Sequence, residues 1–239
     1  MTYAISFENI YFTVKDRHIL NNITGNIEKG KITALVGPSG AGKSTLLKMC
    51  NGLLSPTSGH IFIDGDPITS YEPTLLRRKV GFALQNAPMI RETVYDNINL
   101  PYALNDKTIS EQEAIDFLEL VGLHESFLHT SINDLSGGER QRVSLARTLV
   151  PQSDILLLDE ITSALDEQSM LDIEQLIIHL KNEKNLTIIW ITHQMEQAKR
   201  CADNIWVLMD GKLEEIGSSA ILSHSANERV EQFLHGGVK

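Results

Sequence analysis

The chain has no apolar run near the ~18–20 residues that a bilayer-spanning helix requires; its longest candidates, such as Ile155 to Leu158, are the size of a strand. Its start, Met-Thr-Tyr-Ala-Ile-Ser-Phe-Glu, has neither a basic opening nor an apolar stretch, so no secretory leader is expected. Cysteine is scarce. Cys50 and Cys201 lie far apart and match no metal-ligand spacing, which points to two reduced thiols in a cytoplasmic protein. Cations are in deficit too, with 21 Lys and Arg against 31 Asp and Glu and a formal net charge of −10. That excess opposes binding to DNA, RNA or anionic lipid, and no insertion into lipid is expected; docking to one protein through a local patch stays open. Repeats and low-complexity stretches are missing as well, so the 239 residues read as one domain carrying an inserted lobe.

What is present alternates strand-like and helix-like segments, the pattern of an α/β domain with a mostly parallel sheet. Lys31 to Val36 reads as a buried strand, followed by a Gly-rich turn and a helix from about Lys43 to Leu53. His60 to Ile63 and Val80 to Leu84 are further strands, the first closed by the turn dipeptide Asp64-Gly65. Over residues 86–150 the period becomes helical. Ile115, Leu118 and Val121 share one face, as do Val143, Ala146, Leu149 and Val150. Strands return at Ile155 to Leu158, Thr187 to Ile191 and Asn204 to Met209, the last turning at Asp210-Gly211 into Lys212 to Ile216. One domain over residues 1–239 is therefore expected, with 1–85 and 151–239 as its core and 86–150 as the helical insertion. Val230, Phe233 and Leu234 mark a short amphipathic end.

Gly37-Pro38-Ser39-Gly40-Ala41-Gly42-Lys43-Ser44-Thr45 fits G-x-x-x-x-G-K-[ST], and it sits between a buried strand and a helix as that motif requires. Glycines let the backbone wrap closely, with N–H groups turned inward as an anion nest. The helix N-terminus adds about half a positive charge. Lys43 brings a full charge for the outer phosphates of ATP, and Ser44 a hydroxyl for Mg²⁺. Downstream, Ile155-Leu-Leu-Leu-Asp159-Glu160 is an apolar strand ending in two carboxylates at the sheet edge where ligands of α/β folds bind. There Asp159 is expected to hold Mg²⁺ through its water shell. Glu160, pointing the other way, is placed to polarise an attacking water.

Leu135-Ser136-Gly137-Gly138-Glu139-Arg140-Gln141-Arg142 puts a small hydroxyl and two glycines at the opening of a helix, a second anion site. Alone, such a Ser-Gly-Gly is a helix cap. Standing between the phosphate loop and the carboxylate strand, it makes the ensemble resemble the ATP-binding-cassette ATPases, over nearly the whole chain. That resemblance implies a P-loop NTPase, RecA-like core with N-terminal antiparallel strands and an inserted α-helical lobe. It implies that Gln85 senses Mg²⁺ and the γ-phosphate, that Ser163-Ala164-Leu165-Asp166 communicates across a dimer, and that His193 contacts the γ-phosphate. It also implies an ATP-dependent, head-to-tail homodimer, with each ATP between one subunit's phosphate loop and the other's Ser136, Gly137, Gly138 and Glu139. One position departs: Val14 stands where the family places an aromatic ring on adenine, with Tyr11 and Phe12 close by on opposite strand faces.

Soluble members of this family carry two cassettes or a long coiled-coil insert, and fused exporters carry membrane helices. Neither feature is visible, so the resemblance implies an ATPase subunit held at the inner face of the cell membrane by a separate transmembrane permease. Thr93-Val-Tyr-Asp-Asn97, the stretch from Leu156 to Glu167 with Ile161 where most importers have proline, and Ile188-Ile-Trp-Ile-Thr-His193 narrow it. They are similar to the ATPase of a two-protein bacterial metal exporter linked to iron efflux, with phosphate-import ATPases next. Solute import and a soluble, non-transport ATPase are the alternatives. Ala87, Pro88, Met89, Ile90, Val94 and Tyr95 form an apolar segment of which about half is expected to be core between the two lobes, and which, by the same resemblance, receives a helix of the permease.

Overall fold

The computed structural model describes residues 2–86, 88–90 and 92–235. The chain opens with a hairpin of β1 (Tyr3–Val14) and β2 (Arg17–Glu28), then runs through β3 (Ile32–Val36), α1 (Lys43–Cys50), β4 (Ser58–Ile63), β5 (Asp66–Pro67), α2 (Pro73–Lys79) and β6 (Val80–Ala83). Three helices follow, α3 (Val94–Ala103), α4 (Glu111–Leu120) and α5 (Gly137–Leu149). The remainder is β7 (Ile155–Asp159), α6 (Glu167–Lys184), β8 (Thr187–Ile191), α7 (Met195–Cys201), β9 (Asn204–Met209), β10 (Lys212–Gly217) and α8 (Glu228–Leu234). The strands make two sheets. One, in the order β2-β1-β4-β5, is antiparallel; the other runs β10-β9-β3-β8-β7-β6 and is parallel apart from β10.

The near-continuous apolar strands of the parallel sheet follow from burial on both faces. Side chains alternate across a strand, so Ile155, Leu157, Ile189 and Ile191 join α1 and the antiparallel sheet. Their neighbours Leu156, Leu158, Ile188 and Trp190 face the helices, packing with Val94, Ile98, Leu118 and Val143. A third cluster sets Val36, Val207 and Met209 against α7 and α8, where Val230 is buried and Phe233 and Leu234 pack beside it. The helices α3, α4 and α5 start on reciprocal capping boxes, Thr93 with Asp96, Ser110 with Glu113 and Ser136 with Glu139.

Two departures from the sequence reading have local causes. The first helix ends at Cys50 rather than Leu53, because Gly52 takes a left-handed φ of 69° and its N–H turns back to Met49 O. The helix α2 was not anticipated. It begins on Glu72, whose carboxylate accepts from the N–H groups of Thr74 and Leu75, and only Leu76 is buried, so no apolar period announces it.

Trp206 ties the layers together. It lies on β9, is 2% exposed, and meets Phe7 of β1 edge-to-face at 5.7 Å between ring centroids. The space is reserved on β2: a Cβ added to Gly25 would stand 2.8 Å from Trp206 Cη2. Trp206→Ala should therefore cost about 3–5 kcal/mol in urea unfolding. A loss under about 1 kcal/mol would mean the sheets hold together without this ring.

Candidate active site

The C-terminal ends of β3, β7 and β8 converge on a cleft of about 320 Å³. Its phosphate-loop wall is made by Ser39, Gly40, Gly42, Lys43, Ser44 and Thr45, and Glu160 and His193 face them. Two glycines of the loop have no substitute. Gly37, at φ 145°, would drive a Cβ to 1.8 Å from Leu208 O, and Gly42, at φ 100°, would set one 2.6 Å from Leu20 Cδ2. No side chain caps the N-terminus of α1 at Gly42, which leaves its first N–H groups to an anionic ligand.

Lys43 is 5% exposed, and its ammonium donates to Gly37 O and Pro38 O at 2.8 Å each, which holds the cation over the loop. Burial pushes this ammonium below the usual lysine range, while Glu160 and Asp159 pull it upward. Asp159 is displaced the other way. Burial raises its carboxyl above the ordinary range, opposed by a hydrogen bond that Ser44 Oγ donates to Oδ1 at 3.0 Å, and Glu160 adds to the rise. Each group therefore gains from a ligand of opposite charge: a phosphate at Lys43, a cation at Asp159. The oxygens of Ser44 and Asp159 are hard donors, the kind Mg²⁺ takes while keeping most of its water.

Glu160 has a left-handed backbone, φ 52°, a conformation that strains a residue other than glycine. Its N–H donates to Ile191 O, and its carbonyl accepts from Ser163 N–H and from Ser163 Oγ. The turn throws its carboxylate toward His193, whose Nε2 lies 2.6 Å from Oε1. Gln85 Nε2 donates to Ser163 Oγ at 3.0 Å and reaches Glu160 Oε2 at 3.4 Å. So residues from three separate segments meet around one carboxylate.

Ser136, Gly137, Gly138 and Glu139 do not line this cleft. Ser136 and Gly137 are exposed at the opening of α5, where Glu139 accepts from Ser136 N–H at 2.7 Å. Asp166 caps α6, accepting from Ser169 N–H. Of the neighbours of Val14, Phe12 packs into the core and Tyr11 is half-buried beside β4, while Val14 itself is 48% exposed and lines nothing at the cleft. Arg17 and Ile19 line it instead. No motif marks them; the start of β2 is brought there by contacts visible only in three dimensions, with Gly42 and Gly211 both tight against Ile19 O. Of the apolar segment after Gln85, Ala87 lies outside the described residues. Val94 is fully buried and Tyr95 donates its hydroxyl to Ile109 O, so both serve the interior of the helical lobe; Ile90 is 62% exposed. Cys50 and Cys201 are free and buried, and burial pushes both thiols up, Cys201 to about 12.

Comparison with known proteins agrees with this geometry. The family model described as ABC transporter matches residues 20–163, more than half of the chain. The putative ABC transporter ATP-binding protein YjkB of Bacillus subtilis is 45% identical, over 99% of this chain and 96% of its own. The probable iron export ATP-binding protein FetA of Escherichia coli is 37% identical over 88% and 94%, and the methionine import ATP-binding protein MetN 2 of Staphylococcus epidermidis 38% over 93% and 68%. Among solved structures, the dimeric post-hydrolysis state of the ATP-binding cassette MJ0796 bound to ADP and Pi superposes with a TM-score of 0.79 at 31% identity, covering 90% of this chain and 98% of that one. Phosphate loop, paired carboxylates and sheet order thus have one common explanation: the chain belongs to the ABC transporter family and is an ATP-hydrolysing subunit of it.

Proposed function

We propose that this subunit powers a transporter whose membrane-spanning permease is a separate protein, and that it hydrolyses ATP held between two copies of itself. The observation that carries the reading is the convergence of Lys43, Ser44, Asp159, Glu160 and His193 on one cleft, while Ser136 to Glu139 open a helix away from it. A second anion site that its own phosphate loop does not use fits a head-to-tail pair. The dimeric structure of the related cassette MJ0796 supports the pairing of two copies.

Within the pair, Lys43 and the N–H groups at the start of α1 bind the phosphates. Ser44 and Asp159 would hold Mg²⁺, which supplies charge neutralisation on the phosphate oxygens. Glu160 accepts the proton of the attacking water, and His193, beside that carboxylate in the structure, turns its N–H to a γ-phosphate oxygen when ATP is bound. Gln85 follows β6 and leads toward α3, so its contact with Glu160 and Ser163 links the cleft to the segment that carries α3, α4 and α5. Arg17 and Ile19 give the base a wall without an aromatic ring.

The permease docks, on this reading, in an open groove of about 740 Å³ between α2, the end of α3 and the end of α5. Its floor is apolar, with Pro101, Tyr102 and Val150, and Leu104 at its edge is 77% exposed. Arg77, Arg78 and Lys107 stand around it, a concentration of cations on a chain of net charge −10. A short amphipathic helix bearing a carboxylate matches that surface. The permease would then keep the subunit at the inner face of the membrane. For cargo we propose a metal ion, iron first, supported by the likeness to FetA; solute import is the second reading, supported by the likeness to MetN 2.

Glu160→Gln should retain ATP binding and slow hydrolysis by roughly 10²–10⁴, the usual worth of a general base. Lys43→Ala should weaken ATP binding itself. Hydrolysis at the parent rate by Glu160→Gln would remove Glu160 from the chemistry. For the groove, Leu104→Asp should leave the ATPase activity of the isolated protein unchanged. The same variant should abolish permease-dependent iron efflux from cells loaded with iron. Normal efflux with Leu104→Asp would place the docking surface elsewhere, and an unchanged iron content in cells lacking the subunit would favour solute import.

A further inference from the structure

Behind the cleft lies a polar chain that the reaction as described does not use. Glu174, on α6, is 3% exposed among apolar neighbours Ile173, Leu176 and Ile177. Arg200 of α7 grips it with two donors, Nε to Oε2 at 2.9 Å and Nη2 to Oε1 at 2.7 Å. Gln197, 1% exposed, donates Nε2 to Glu174 Oε1 at 3.1 Å and to Thr162 Oγ1 at 3.0 Å. Thr162, 3% exposed, stands two residues after Glu160, and Gln197 stands four after His193.

A buried carboxylate is a poor choice if packing is all that is needed, because an apolar side chain fills such a place at no desolvation cost. What the carboxylate adds is direction. It accepts only, so it turns the Gln197 amide with Nε2 inward, and the amide so oriented meets the Thr162 hydroxyl with both its atoms, Nε2 donating to Oγ1 at 3.0 Å and Oε1 accepting from it at 3.3 Å. The two loops so joined leave the ends of adjacent strands, Asp159 of β7 pairing with Ile191 of β8. They carry the strained Glu160 and its 2.6 Å partner His193. A left-handed side-chain-bearing residue persists where its surroundings over-determine it, and this chain of contacts fixes the residues that follow it.

We propose that Glu174 is a positioning residue for the Glu160–His193 pair, acting through Gln197 and Thr162. The inference rests on the reading of Glu160 given above. Glu174→Gln removes the charge that Arg200 grips and the acceptor that fixes the Gln197 amide, so the amide is no longer held in one place against Thr162. Since Gln197 and Glu174 are hydrogen-bonded neighbours, the double variant Glu174→Gln with Gln197→Glu returns a carboxylate to the same cluster, within reach of Arg200.

The test is steady-state ATP hydrolysis by the purified protein, with ATP affinity measured separately on each variant. Glu174→Gln should lower kcat by about tenfold to a hundredfold, the effect of misplacing a reacting group by up to an ångström, with ATP affinity unchanged within about twofold. The double variant should recover most of the lost kcat. Thr162→Val removes only the hydroxyl at the far end and should reproduce the loss in kcat, which decides the matter if Glu174→Gln does not fold. An unchanged kcat in Glu174→Gln or Thr162→Val overturns the proposal. So does a parallel loss of ATP affinity, which marks a scaffold role, and so does a double variant that binds ATP but stays slow. A parent protein that does not hydrolyse ATP, or a fully active Glu160→Gln, would instead overturn the reading of the site itself.

Discussion

A lysine ammonium left 5% exposed, held by two backbone carbonyls of its own loop, is the constraint on which the site depends. Burial works against its charge, and the nearest offsets are the carboxylates of Asp159 and Glu160. Asp159 is itself pushed up by burial. The three groups form a set whose electrostatics are incomplete, and a polyanion with a divalent cation completes it. ATP with Mg²⁺ carries that pair of charges.

The fold serves this set by geometry. Parallel strands buried on both faces deliver their C-terminal ends to one edge, and the loops leaving β3, β7 and β8 each bring one component there. Gly37 is pressed against Leu208 O and Gly42 against β2, so the phosphate loop is seated on both the parallel sheet and the hairpin. Trp206 and Phe7 keep those two layers in register. The helical lobe enters through Gln85, which touches the carboxylate side of the cleft and precedes α3.

Much of this was legible in the sequence, for a physical reason. Anion binding at a helix N-terminus needs glycines and a lysine at fixed spacing, and a buried strand ending in Asp159-Glu160 states its own direction and exit. The strands 155–158, 187–191 and 204–209 were readable because burial on both faces leaves continuous apolar runs. The capping residues Ser136 and Glu139 carry a local signal as well. What escaped depends on tertiary contact. Arg17 and Ile19 belong to a hairpin whose approach to Gly42 and Gly211 has no trace in local pattern. Glu174 and Gln197 look like ordinary polar residues on two helices until α6 and α7 bury them together. The apolar segment after Gln85 read as part core and part docking floor; Val94 lies in the lobe's own core and Ile90 is exposed, a division that no local pattern announces.

The central claim is that one ATP is shared by two chains, and solution mass tests it most directly. In a Glu160→Gln background, light scattering should report one chain without nucleotide and two when ATP and Mg²⁺ are added. Adding Ser136→Glu, which sets a carboxylate where the partner's phosphates would lie, should keep the mass at one chain although ATP still binds at Lys43. A mass that ignores ATP, or a doubling that survives Ser136→Glu, would contradict the shared site.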